Sequence, residues 1–543
     1  MLHLSEQELV ARSGGSPAMR AVLATREDPK SDIKFEALAL DEAEADLEDL
    51  EESSQSSSGP LHGHLEDPEP TAGAIANEFR LFGKLAFPAV VIQLCYMLQF
   101  TYTSTYTGLH YGTASLAGFS LANLSGNLVV ISLVMGFLSA AETLTPQAYS
   151  LKHYPEVGQI CTRSFFLCLV LLTPVGPLIK YIDQVLVFLG QPEESARLAQ
   201  EFLSIYAFGY PALVFNECAL RFYRAQNVTV PFIFIYLAVL FLHPVYVHLF
   251  AEEMGYGFNG LPMAHVASMT TLSLLIILLF LYGDQHHPLT FPQAMTFEFW
   301  RKVLFDKSGA WLVLRLGLPG IMSNSEWWFW ELVCFVCGQA GTVGLAAHTI
   351  AYSLIPLSFM VPLGFCIGLS SQIGQLLAVG KVRVAKKVST IAVLACCSIV
   401  AINSIVAYSL RDHIISAFTS DPEVIELANT IWPWVCFFFN MDAQLGVFMG
   451  LIRALSLQYA MSWAVLVSLW IIGIPFIFYM FKYLDLGILG VWEAMPAIYL
   501  LLDSLLLLAV VRKDWYAYTK TISERFAAAS EKTTPAPASP SQV

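Results

Sequence analysis

The chain has 543 residues, 56% of them hydrophobic and 13% charged, with a formal net charge of −14. So little charge spread over so much apolar sequence excludes a soluble globular protein, about a quarter of whose residues are ordinarily charged. The acidic balance gives a nucleic acid nothing to bind and is a local property, because most of it lies before residue 70.

Residues 1–76 read as a disordered acidic cytoplasmic tail. Asp41–Glu52 and Glu66–Glu69 crowd carboxylates beside a Ser-rich tract at 53–58, and such a segment cannot bury enough apolar surface to fold alone. The first thirty residues lack an apolar core, so no cleavable signal peptide is expected. Apolar runs of about 20 residues, the length that spans a bilayer, then recur twelve times. We place them at 81–103, 113–138, 164–187, 198–220, 229–250, 259–282, 310–337, 343–369, 388–410, 425–450, 459–481 and 489–511. Pro319, Pro356 and Pro362 are expected to bend their helices, since proline breaks the hydrogen-bond ladder.

Loops after even-numbered runs carry Lys152, Arg163, Arg221, Arg224, Arg301, Lys302, Lys307, Lys381, Arg383, Lys386, Lys387 and Arg453. Loops after odd-numbered runs offer Lys180, Arg197, Arg411 and Lys482. The positive-inside bias therefore predicts that both termini are cytoplasmic, in the plasma membrane or an organelle membrane. Cys334-x-x-Cys337 lies on an apolar helix with no second pair, so it reads as helix packing and no metal site is expected.

The chain also repeats itself. Gly112-Thr-x-x-Leu116-Ala117 recurs as Gly341-Thr-x-x-Leu345-Ala346, Gly136-Phe137 as Gly364-Phe365, Gln147 as Gln375, Pro192-Glu193 as Pro422-Glu423 and Arg224-Ala225 as Arg453-Ala454. The common offset of 228–230 residues predicts two parallel six-helix lobes related by an axis along the membrane normal, the plan of transporters that rock around a midplane site. The expected fold is thus all-α integral membrane, twelve transmembrane helices in two parallel-repeat lobes. The N-terminal lobe covers 77–285, a cytoplasmic linker 286–308, the C-terminal lobe 309–513 and a cytoplasmic tail 514–543.

Within these apolar runs, acids are conspicuous, because a carboxylate at mid-bilayer costs about 2.5–3.5 kcal/mol. Glu326 lies eleven residues past Arg315 and Asp442 eleven before Arg453, placing both about 16 Å deep and near midplane. Glu331 follows Glu326 by five residues, about 140° around the helix, so it need not line the same wall. Burial among Trp327, Trp328 and Trp330 suits a proton-binding acid, and ring faces add cation–π attraction. Glu217 has Arg221 at i+4 and reads equally as a site residue or a structural pair. Glu142 is expected to brace a loop, His348 to be a satisfied structural histidine, and Asp503 to line a cavity or bond across helices. Gln93, Gln99, Tyr96 and Asn123 would polarise the N-terminal lobe or serve as interhelical glue.

Several local words carry a resemblance. Ala141-Glu142-Thr143-Leu144-Thr145-Pro146-Gln147-Ala148-Tyr149 resembles the ETLCGQAYG stretch of the multidrug and toxic-compound extrusion (MATE) family, with Thr145-Pro146 in place of Cys-Gly. Arg221-Phe222-Tyr223-Arg224-Ala225-Gln226 is similar to its RFLQAQ, and Ser325–Glu331 to the seventh-helix EWWxxE of its eukaryotic branch. Asp442-Ala443-Gln444-Leu445-Gly446-Val447, followed by Arg453, resembles DxxQGVxxGxxRG with two residues transposed and Ala454 for Gly. The resemblance implies an antiporter that expels organic compounds by alternating access. Glu326, Glu331 and Asp442 match the acids implied in substrate and proton handling. The helix-one aspartate of many bacterial relatives has no counterpart in Pro88–Gln99.

The expectation is a proton-coupled, possibly sodium-coupled exporter of small organic compounds, organic cations first, with no bound cofactor, working as a monomer in the bilayer. The alternatives are a lipid or lipid-linked-sugar flippase of the same superfamily, and a non-transporting receptor or scaffold. The chain shows no P-loop, zinc motif or nucleophile elbow, so enzyme chemistry is not expected.

Overall fold

A computed structural model describes residues 67–283, 286–291, 297–419 and 421–531. Most of the expected acidic tail and the last twelve residues lie outside the described residues. Among the described residues every regular element is helical. In chain order the spanning segments are α1 (Ala72–Gly112), α2 (Ala114–Ser150), α3 (Tyr154–Ile179), α4 (Glu193–Tyr206 continuing as Tyr210–Ala225), α5 (Val230–Glu253) and α6 (Gly257–Tyr282). The second lobe follows with α7 (Lys307–Ser323, then Glu326–Gly338), α8 (Val343–Ala378), α9 (Val382–Ser409), α10 (Pro422–Ala454), α11 (Gln458–Tyr483) and α12 (Gly487–Arg512). The twelve segments in two lobes are the architecture that the apolar runs and the repeat led us to expect.

The repeat is written into the backbone. Left-handed φ occurs at Gly112 and Gly341, 229 residues apart, at Lys152 and Gly380, at Asn227 and Ser456, at Gly255 and Asp485, and at Gly257 and Gly487. The Gly112 and Gly341 joints, with φ of 78° and 84°, turn the chain between the first two helices of each lobe, a conformation glycine reaches without a Cβ penalty. A π-turn closes α5 at Leu249–Glu253 and α11 at Tyr479–Tyr483. The lobes meet where small residues let backbones touch. A Cβ on Gly136 of α2 would lie 2.5 Å from the Ile321 Cα and 2.7 Å from the Gly320 carbonyl oxygen of α7.

Two of the places where the C-terminal lobe departs from its twin adjoin each other. The seventh helix breaks at Asn324–Ser325, where the equivalent stretch of α1 runs on unbroken. The middle of α11 is a π-helical stretch, Leu466–Gly473. The indole of Trp470 in that stretch donates to Ser325 Oγ in the break at 3.0 Å, so the two irregularities support each other. Irregular backbone at membrane depth persists where it lines a cavity or is buried in protein.

Three expected boundaries move. Helix α1 begins at Ala72, its cap Thr71 accepting from the Ala74 amide at 3.2 Å, inside the stretch assigned to the tail. The α3 helix starts at Tyr154, ten residues before its apolar run, because its first turns are polar and only the later ones suit lipid. The expected C-terminal tail opens with a 17-residue helix, α13 (Trp515–Glu531). Trp515, Tyr518, Ile522 and Phe526 recur at helical spacing and are all buried, docking this helix on the lobe. The linker also holds a short helix, Phe297–Phe305, tied to α3 by Arg163, which donates to the Lys302 carbonyl at 2.8 Å and pairs with Asp306 at 3.2 Å.

Candidate functional site

Glu326 is the first residue of the second half of α7. The break places its carboxylate in the first helical turn, where unpaired N–H groups and the helix dipole favour negative charge. It is buried, and its Oε1 accepts two bonds: from Trp330 Nε1 at 3.0 Å, one turn along the same face, and from the Tyr499 hydroxyl of α12 at 2.7 Å. Asp442, buried on α10, lies within electrostatic range of Glu326, Tyr499 and Asp503. Sequence depth alone had placed these two acids at one level, and the fold brings them into one interior.

Aromatic rings wall that interior. Trp330 packs on Tyr352 at 5.5 Å, on Phe438 at 5.2 Å and on Trp492 at 6.3 Å, and Phe438 meets Tyr499 edge-on at 4.8 Å. Glu331 is half-buried on the outer part of the same helix. Tyr352 lies within electrostatic range of both Glu326 and Glu331, so one ring faces both acids despite their angular separation. His348, stacked on Tyr352 at 5.8 Å, contacts Cys334 Sγ through Nε2 at 3.2 Å. It is packed as expected but not fully satisfied, because its buried Nδ1 has no hydrogen-bond partner among the described residues.

The other tryptophans are not where the sequence suggested. Trp327 is 37% exposed on the outer face. Trp328 crosses to the other lobe, its indole donating to the Leu128 carbonyl at 3.0 Å and Ser132 Oγ at 3.1 Å. The break resets the helix phase, so Trp330 alone of the three reaches Glu326.

In the N-terminal lobe Glu217 is committed to Arg221, at 2.6 Å. Gln99 is buried, whereas Gln93, Tyr96 and Asn123 are half-buried. Tyr96 lies within electrostatic range of Tyr206 and Glu217. Sequence reasoning missed a buried pair of histidines beside them. The rings of His243 of α5 and His265 of α6 lie 4.5 Å apart, tilted by 49°, and share Thr103 Oγ1, at 2.9 and 3.1 Å from their Nε2 atoms.

At the end of the bundle carrying the Lys/Arg-rich loops, the lobes are joined twice over by the same residues. Gln147 donates to the Ala454 carbonyl at 3.4 Å, and its repeat partner Gln375 to the Ala225 carbonyl at 2.9 Å. Thr143 donates to the Arg453 carbonyl at 2.8 Å, and Ser371 to the Arg224 carbonyl at 3.4 Å. On the axis between them Ser370, the repeat partner of Glu142, donates to the Glu142 Oε1 at 2.7 Å. Glu142 Oε2 pairs with Arg453 at 3.1 Å and, more loosely, with Arg221 at 4.0 Å. The residue expected to brace a loop closes the interface between lobes. Tyr518 of α13 completes the closure, accepting from Gln147 Nε2 at 3.0 Å and sharing a bond of 2.5 Å with Ser456 Oγ.

The chain is similar to known transporters in sequence and in fold. The human multidrug and toxin extrusion protein 1 is 26% identical over 422 residues, covering 77% of this chain and 72% of that protein. Protein DETOXIFICATION 37 of Arabidopsis thaliana is 25% identical over 460 residues, 83% of this chain and 89% of its own. The crystal structure of the eukaryotic MATE transporter AtDTX14 superposes with a TM-score of 0.76 at 19% identity, covering 83% of this chain and 99% of that one. The Vibrio cholerae MATE transporter VcmN in its bent form gives 0.71 at 13% identity, over 83% and 99%. At these identities the solved structures speak for the fold alone. The MatE family model matches twice, over 88–249 and 320–479, once in each half of the repeat. The chain therefore belongs to the MATE family of multidrug and toxin extrusion transporters and is an integral membrane protein.

Proposed function

We propose that the protein is a secondary-active antiporter that exports organic cations in exchange for protons by alternating access between its lobes. The observation that carries this is the shared burial of Glu326 and Asp442 among aromatic rings, with no basic side chain acting on either among the described residues. Two acids without a counter-cation in a dry interior hold protons or receive a cationic cargo. Trp330, Tyr352, Phe438 and Trp492 supply ring faces to a delocalised organic cation. Glu331 is the accessory acid nearer the exit.

Proton coupling is favoured over sodium by the donor set. Glu326 Oε1 already accepts from an indole N–H and a phenol O–H, so its lone pairs are engaged by hydrogen-bond donors where a sodium site needs several free oxygens. The sealed interface around Glu142 supports a state open toward the side opposite the basic loops, which the positive-inside bias makes the non-cytoplasmic face with both termini cytoplasmic. A flippase would need free basic groups for a phosphate. At the lobe interface Arg221 and Arg453 are instead paired with Glu142 and Glu217.

Purified protein in proteoliposomes, offered panels of fluorescent organic cations and anions with proton and sodium gradients imposed separately, tests the proposal. Movement of at least one cation driven by the pH gradient alone is expected. Movement only with a sodium gradient, or of anions only, would overturn it.

A further inference from the structure

We infer that Asp503 is a second proton-carrying carboxylate of the transport cycle, placed on α12 between the Glu326–Asp442 site and the basic-loop end of the bundle. The inference rests on the proton-antiport reading above and extends it to a residue the family words do not touch. Asp503 is 3% exposed, and neither carboxylate oxygen has a hydrogen-bond partner among the described residues. A buried aspartate that served as interhelical glue would be bonded, because an unpaired polar group at membrane depth is costly. Asp503 bears that cost with no structural bond in return.

Its position explains the cost. Asp503 follows Tyr499 by four residues, so both occupy one face of α12, and Tyr499 donates to Glu326. The same face carries Trp492, which packs against Trp330. The stripe Trp492, Tyr499, Asp503 therefore runs from the aromatic walls of the site toward the loops. Asp503 precedes Arg512 by nine residues and Asp442 precedes Arg453 by eleven. At about 1.5 Å per residue these are depths of roughly 13 and 16 Å, so Asp503 lies slightly nearer the basic-loop face.

The titratable groups facing it are Asp442 from α10 and Cys397 from α9, with Tyr499 on its own helix and Glu326 of α7 behind that phenol. No lysine, arginine or histidine acts on Glu326, Asp442 or Asp503 among the described residues. With no counter-charge, neighbouring carboxylates cannot all ionise together in a dry interior. Asp503 takes one proton from water on one side of the membrane, forming an O–H bond, and returns that proton to water on the other. A cargo cation paired with the deeper acids leaves Asp503 to carry a proton of its own.

The test reads a coupling ratio, which is independent of turnover rate. Proteoliposomes holding the full chain are given a one-unit pH gradient with the membrane potential clamped at zero, and the equilibrium gradient of a transported fluorescent cation is measured. Each exchanged proton contributes about a factor of ten to that gradient. The wild type is expected to reach about 100-fold, and Asp503→Asn about 10-fold. A wild-type gradient of about 10-fold, or a variant that still reaches about 100-fold, overturns the inference while leaving antiport intact. No pH-driven cation gradient in the wild type overturns the antiport reading itself. If Asp503→Asn does not fold, Asp503→Ser, which also lacks a titratable group, is expected to give the same 10-fold limit, and the wild-type ratio still decides.

Discussion

Replacing Glu142 by Gln removes a buried acid at the lobe interface. Glu142 is buried, pairs with Arg453 at 3.1 Å across the interface, and lies 4.0 Å from Arg221 within its own lobe. Removing one partner of a buried ion pair costs about 3–5 kcal/mol, much of it from the charge left behind. Arg221 keeps Glu217 at 2.6 Å, and the amide carbonyl that replaces the carboxylate still accepts from Ser370, so the lower end of the range applies. The Arg453 pair exists only while the lobes are closed at this end. About 3 kcal/mol therefore falls on the closed state and reduces its population relative to the open one by on the order of 10²-fold. Hydrogen exchange read by mass spectrometry needs no added label in a chain with ten cysteines. Peptides covering 140–150 and 366–378 are expected to exchange faster in Glu142→Gln, while peptides from 430–440 of α10 keep their protection. Unchanged exchange at both interface peptides would refute the closure described here.

Glu217→Gln breaks a pair inside one lobe, so it is expected to lower thermal stability by about 3 kcal/mol while leaving the proton-to-cargo ratio at the wild-type value. A changed ratio would return Glu217 to the transport machinery. Gly320→Val puts a side chain onto the Gly136 carbonyl oxygen and Ser139 Oγ, overpacking the α2–α7 contact by about 1–3 kcal/mol. Thermal unfolding should shift down accordingly, and an unshifted transition would show that the helices can part there freely. Asp306, outside the spans, has its carboxyl pushed up by burial, but the Ser308 hydroxyl, the Gly309 amide and Arg163 outweigh that and hold it below its ordinary value. A depressed folded value stabilises above the unfolded pKa of about 3.9 and is lost as pH falls through the folded one. Asp306→Asn should therefore be less stable than wild type at neutral pH, with the gap closing in acid. A gap that persists in acid would assign the loss to the helix cap rather than the charge.

The parts of the fold legible in the sequence are those the molecule uses twice. Gly112 and Gly341 are joints, and Gln147, Gln375, Arg224 and Arg453 form the reciprocal bonds of the lobe interface. Each such position imposes the same steric or hydrogen-bonding demand in both halves, so its residue recurs at the same offset. Glu142 was misjudged because its twin is Ser370, and a pair that meets on the axis need not match. What occurs once was harder to see. Asn324–Ser325 contains no proline or glycine, so hydropathy ran through the break, and the phase of the tryptophans after it could not be read. That error put Trp327 inside when it faces out. Tyr499 reaches Glu326 from 173 residues away, a contact only tertiary structure creates. The docking face of α13 was present as Trp515, Tyr518, Ile522 and Phe526, but the polar, proline-containing sequence after it coloured the whole tail. The buried histidines His243 and His265 stood in apolar helices, and only their meeting at Thr103 distinguishes them from packing residues.

In the proposed antiport cycle Glu326 couples cargo to protons. Cation-driven proton movement, followed with a pH dye inside proteoliposomes, is the direct measurement. Wild-type protein is expected to move protons when a transported cation is added to the opposite side, and Glu326→Gln, expressed and folded at the wild-type level, to move none. Undiminished proton movement in Glu326→Gln would contradict this coupling role.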